Sequence, residues 1–136
     1  MGTNYYAVTP PAIPPCAHCG RYDPSVRLHI GKSSVGWCFS LHVIPERGIH
    51  DLNDWKAYLQ QPHTTIEDEY GHEHTLDALL ECITLRHRAR SEPPTALWLS
   101  QNHAVLGPNG LVRHALGRYC IGHGEGTWDL LSGDFS

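Results

Sequence analysis

A small α+β domain is what the sequence predicts, and three observations predict it. Two neighbouring segments alternate apolar and polar residues around a glycine-containing turn; two later ones repeat their apolar residues at helical spacing; the C-terminal third breaks into short apolar runs between glycine and proline turns. The organisation expected is a single domain over residues 1–136, with a knuckle plus hairpin over 16–42, helices over 51–61 and 75–90, and short antiparallel strands over 96–131.

The elements follow in order. "AIPPCAHCGRYDPS" reads as a proline-bracketed loop. "RLHIGK" and "GWCFSLHVI", residues 27–32 and 36–44, read as strands. Leu28 and Ile30 face one way and His29 the other; Trp37, Phe39, Leu41 and Val43 oppose Cys38, Ser40 and His42. Ser33 to Gly36 makes the turn, with Gly36 free to take positive φ. "HDLNDWKAYLQQP" reads as a helix capped by Asp51, striped by Leu52, Trp55 and Leu59 and stopped by Pro62. "TTIEDEYG" reads as a strand running into a turn at Gly71. "TLDALLECITLRHRAR" carries the clearest helical face, in Leu76, Leu79, Leu80, Ile83 and His87. Thr75 caps that helix, Asp77 stands near its start, and Arg86, Arg88 and Arg90 stand near its end, as the dipole prefers. After "SEPP" come the short strands, around a "GPNG" turn and a "GHGEG" loop.

Composition narrows the classes. Hydrophobic residues at 40% and charged ones at 18% suit a globular chain rather than a disordered one. A net charge of −4 argues mildly against a general nucleic-acid binder. "MGTNYYAVTPP" lacks the basic and apolar regions of a secretory signal, Tyr6 departs from the myristoylation pattern, and no apolar run reaches a membrane span. Reduced thiols in a cytoplasm are therefore expected, where a cysteine pair more often holds metal than forms a disulfide.

Two motifs compete for the hairpin. "GKSS" copies the end of a phosphate-binding loop, but Val26 stands where that loop needs glycine, and a strand follows where it needs a helix. A polar hairpin tip is the simpler reading. "CAHCG", by contrast, is a Cys-x-x-Cys knuckle followed by Gly20. A hairpin turning about Val35–Gly36 sets His29 opposite His42, both on the face away from Leu28, Ile30, Phe39 and Leu41. Cys16, Cys19, His29 and His42 then offer two thiolates and two imidazoles, a closed four-coordinate set that favours structural Zn²⁺. Cys38 is the competing ligand in place of His29.

Other groups are weaker. "EDEYGHEH" could hold a divalent ion, though such runs are more often solvated turns. Cys82 sits mid-helix as a small core residue. His114, His123, Glu125 and Asp129 could line a ligand pocket beside the glycine-rich loop, without matching any known catalytic spacing.

Across most of the chain, the blocks "MGTNYY", "CAHCGR", "LHIGKSSVGWCFSLHV", "DLNDWKAYL", "IEDEYG" and "GHGEGTWDLLSGDFS" resemble an uncharacterised family of small bacteriophage proteins, mainly from actinobacterial phages. The resemblance implies a phage origin and action in the cytoplasm of an infected bacterium; it supplies no activity. The expectation is a zinc-binding protein that engages a host or phage protein, with Tyr5, Tyr6, Trp98 or Trp128 as candidate anchors. The alternatives are a metal-dependent hydrolase or nucleotide-processing enzyme near His114, His123 and Glu125, and a nucleic-acid-binding zinc protein using Arg21, Arg27 and Lys32.

Overall fold

The computed structural model describes residues 2–9, 26–87, 92–117, 119–133 and 135. It is an α+β architecture, as expected. Strands β1 (Gly2–Thr9), β2 (Val26–Ser34) and β3 (Phe39–Val43) lead to helix α1 (Leu52–Leu59). Strands β4 (Thr65–Asp68) and β5 (Glu73–His74) lead to helices α2 (Leu76–Thr84) and α3 (Ala96–Gln101). Strands β6 (Ala104–Leu106), β7 (Val112–His114), β8 (Cys120–His123) and β9 (Trp128–Ser132) follow.

Seven strands form one sheet in the order β5-β4-β1-β2-β3-β9-β8, and β6 pairs with β7 apart from it. Each neighbour in the large sheet is antiparallel except β3 and β9, which run parallel with Ser40 beside Asp129 and His42 beside Leu131. The small sheet is tied to the start of β3, where the Cys38 N–H donates to the Val112 carbonyl and the Val112 N–H to that of Gly36.

The apolar face follows from local pattern. Leu52, Trp55 and Leu59 of α1, with Leu79 and Ile83 of α2, bury against Ala7, Ile30, Phe39, Leu41 and Ile66. Burying each large side chain contributes roughly 1.5–3 kcal/mol, so this cluster is the main cohesive term. Both caps stand where expected: Asp51 accepts from the Asp54 N–H and Thr75 from the Ala78 N–H. Gly36 has φ +81°, the left-handed turn conformation that glycine adopts without strain.

Four features differ from the expected elements. The N-terminal segment, expected to carry no element, is a central strand, β1, between β2 and β4. The helix expected over 75–90 ends at Thr84, whose hydroxyl donates back to the Leu80 carbonyl; residues 88–90 lie outside the described ones. Arg86 leaves the helix to donate to the Ser34 and Trp37 carbonyls at the hairpin turn, which a continuing helix would carry it away from. Residues 96–101, expected as strand, are helix α3, capped by Thr95. The fourth difference is the hairpin register. Gly31 pairs with Leu41, one residue off the expected alignment. A bulge then corrects it: β1 pairs Tyr5 with Gly31 and Tyr6 with His29, leaving Ile30 without a partner across. Ile30 and Gly31 are both buried, and the alternation beyond them is reversed. His29 thereby reaches the face that carries His42.

Candidate functional site

His29 and His42 stand side by side on the sheet face away from the helices, with their Nδ1 atoms 3.2 Å apart. Asn4 sets the tautomer. Its amide oxygen, which can only accept, lies 2.8 Å from His29 Nε2, so that nitrogen carries the proton and His29 Nδ1 presents a lone pair. His42 Nδ1 is also 3.1 Å from the His29 carbonyl, and its proton is shared between that oxygen and His29 Nδ1. Burial, with lesser contributions from the charges of His42 and Lys32, pushes the His29 pKa down to about 4, so the ring is neutral at neutral pH. Phe135 packs on both rings, at centroid distances of 4.7 and 5.1 Å. The pair borders a groove of about 610 Å³ that also touches Arg27 and Arg47.

This arrangement fits one end of a tetrahedral zinc site. Two nitrogens each ~2.0 Å from one tetrahedral ion stand ~3.3 Å apart. An outer hydrogen bond that fixes the far nitrogen is the usual support for a ligating imidazole. Cys16 and Cys19, the other two expected ligands, lie outside the described residues. Cys38, the competing ligand, is buried beside Gly107 between β6 and β7, where burial raises its thiol to about 11; among the described residues no group of three His, Cys, Asp or Glu could hold an ion. The acidic "EDEYGHEH" run is likewise a turn, in which Asp68 accepts from the N–H groups of Tyr70 and His72 and from His74 Nε2. The hydrogen bond from His74, foremost, holds that carboxyl down at about 2.

A second polar cluster centres on Asp129, which is fully buried. Its Oδ1 accepts from Arg113 Nε at 2.8 Å and its Oδ2 from the His114 backbone N–H at 2.9 Å. Arg113 also donates to the Gly126 and Trp128 carbonyls. His123 Nε2 donates to the His114 carbonyl at 2.8 Å and stands 3.8 Å from Asp129. The His114 ring turns the other way: its Nε2 is 3.2 Å from Ser40 Oγ, and it stacks on Trp37 at 4.7 Å. Burial lowers the His114 pKa against the opposing pull of Asp129.

Of the four pocket residues read from the sequence, the fold gathers His114, His123 and Asp129. Glu125 is exposed and stands outside that cluster, lining with His123 a cleft that also touches Asp51 and Lys56. Asn4, Ser40 and Arg113 were not singled out by the sequence as members of either cluster. Arg113 directly precedes His114, a signal available only once β7 is known to lie against β9.

Fold and site together define a small α+β protein whose sheet face opposite α1 and α2 carries a histidine pair and a buried ion cluster. No family model, curated protein or solved structure matches the chain.

Proposed function

We propose that this chain is a zinc-binding protein of phage origin that works in the cytoplasm of the infected bacterium by gripping a host or phage protein. The observation that carries the metal is the 3.2 Å approach of two Nδ1 atoms, one a fixed lone pair, on a face reached through a bulge. Cys16 and Cys19 complete the set, and the zinc is structural because four protein ligands leave no open position. Zinc there would join the knuckle to the hairpin, replacing the proton now shared by the two imidazoles.

Support for the protein partner comes from the chain's second half. Leu97, Leu106, Leu116, Tyr119 and Ile121 are each more than half exposed within 25 residues of one another. Contiguous exposed apolar patches mark interaction surfaces, and this density of exposed apolar residues along the chain supports the reading. Of the aromatics expected as anchors, Tyr5 and Trp128 pack against the core, Tyr6 lies under the Arg27 guanidinium, and Trp98 meets Trp37 with ring centroids 5.8 Å apart. No helix among the described residues is long and apolar enough to cross a membrane.

Metal analysis of the purified full chain tests the centre. About one zinc per chain is expected, falling to near zero in Cys16→Ser and in His42→Ala. Stoichiometric zinc retained by both variants would remove the tetrad. For the partner, a protein captured from bacterial lysate by the wild type and lost with Leu106→Glu is expected; equal capture by both would place the contact elsewhere.

A further inference from the structure

The "GHGEG" loop, which the zinc and partner readings leave unused, frames a cleft of about 290 Å³ together with the start of α1 and the last residue of α2. We propose that this cleft binds one neutral sugar ring, its C–H face laid on Trp128 and Leu52 and its hydroxyls held by Asp51, Asn53, Lys56 and Glu125. Asp51 caps α1: its Oδ1 is fixed by the Asp54 N–H, which leaves Oδ2 for a ligand. Lys56 follows Asn53 by three positions, so the two share one face of the helix. Across the cleft the loop is pinned in place. The Phe39 N–H donates to the Thr127 carbonyl, the Thr127 hydroxyl to the Ile83 carbonyl and the Gly124 N–H to the Trp128 carbonyl. Trp128 lies so close to the loop that a Cβ on Gly124 would overlap the indole. Glycine there lets the aromatic wall stand beside Glu125.

The chemistry of the lining selects the ligand. It carries charges of both signs, and among the described residues the side chains of Lys56 and Glu125 have no hydrogen-bond or ion-pair partner. A small anion would meet the two carboxylates, and a small cation would meet the ammonium. A hydroxyl both donates and accepts, so several on one ring satisfy carboxylate, amide and ammonium together. A small zwitterion would match the charges but would leave the indole wall uncovered, whereas a pyranose presents an apolar face of C–H groups to it. An apolar wall with a few polar groups converging from the rim is the usual make-up of a small-molecule site. The volume is that of about ten waters, enough for one pyranose unit and too little to enclose a second.

The test is a titration of the full-length, zinc-supplemented protein at fixed ionic strength, followed by NMR at the Trp128 indole N–H. The probes are methyl glucoside, methyl galactoside and N-acetylglucosamine, with free alanine as the zwitterion and acetate as the anion. A saturable shift with at least one sugar, tighter than with alanine or acetate, is expected. Glu125→Ala and Lys56→Met should each weaken that binding about tenfold, the effect of losing one charge-assisted hydrogen bond. Should one of these variants not fold, the other decides. The proposal falls if no sugar saturates, if alanine or acetate binds as tightly as the best sugar, or if either folded variant keeps the wild-type affinity.

Discussion

Two groups of histidines share the sheet face opposite α1 and α2, and their hydrogen bonds differ. Around Asp129 each partner is matched: the carboxylate holds a guanidinium and a backbone N–H, the guanidinium reaches two further carbonyls, and His123 caps the His114 carbonyl. Between His29 and His42 nitrogen faces nitrogen, with one proton for two Nδ1 atoms. A buried carboxylate already neutralised has nothing to gain from a cation. An imidazole pair in which His29 is neutral and its Nδ1 lone pair is fixed in place has much to gain. Similar residues therefore play opposite parts, a closed ion cluster that holds strands together and an imidazole pair to which the proposed zinc would bind.

The largest effect is expected where the closed cluster is broken. Asp129→Asn keeps the shape but leaves Arg113, 13% exposed, without its counter-charge. Losing one partner of such a pair costs about 3–5 kcal/mol, because the remaining charge stays buried. Urea unfolding should show that loss with an unchanged slope. A loss under about 1 kcal/mol would mean that Arg113 reaches water freely, and the contrast between the clusters would collapse.

Zinc separates the clusters next. At a hundredfold excess over its dissociation constant, a metal bound only by the folded chain adds about 2.7 kcal/mol, or roughly 8 °C in Tm for a chain of this size. The wild type and His114→Ala should show that rise in a thermal melt, and His42→Ala should not. A rise retained in His42→Ala and lost in His114→Ala would exchange the roles assigned to the two groups.

What could be read from the sequence depended on distance along the chain. The β2–β3 hairpin and α1 were legible because their alternation, stripe and cap are local. The closeness of His29 and His42 was legible through an argument that assumed a regular hairpin; the structure starts one residue off and recovers at the Ile30 bulge. β1 was not legible, because its buried positions are Asn4 and Ala7, three apart and weakly apolar, with the bulge set against its middle. At six residues α3 is too short to establish a period. The Asp129 cluster depends on the parallel β3–β9 pairing, which joins residues about ninety apart and leaves no local trace. Its histidines could be named, but Arg113 and Ser40 could not.

Acid distinguishes the clusters more gently. In the metal-free protein the His29 pKa is about 4 when folded against an ordinary 6.5, so between those values the unfolded chain takes the proton first. Stability is then complete above about pH 6.5 and falls as the pH drops toward 4. His114 is shifted in the same direction and adds to the same slope. His29→Gln should flatten the fall in stability measured by urea unfolding across this window. Asp68, held at about 2 against an ordinary 3.8, stabilises the fold above the ordinary value and loses that contribution as the pH falls from there toward 2, below the His29 window. An unaltered slope in His29→Gln would show that the ring is protonated as readily in the fold as out of it.

The smallest effect marks the edge of the closed cluster. Glu125 is four residues from Asp129 in sequence, yet it is exposed, and the cleft that it lines with His123 opens toward Asp51 and Lys56. Among the described residues its carboxylate makes no hydrogen bond or ion pair with Arg113, His114 or His123. Surface substitutions away from caps, cores and ion clusters shift stability by no more than about 0.5 kcal/mol. Glu125→Gln should therefore leave the urea midpoint, the zinc-dependent Tm rise and the acid slope unchanged. A loss above about 1 kcal/mol would draw Glu125 into the field of Arg113. The cluster would then extend along the glycine-rich loop toward α1 and no longer be closed at His123.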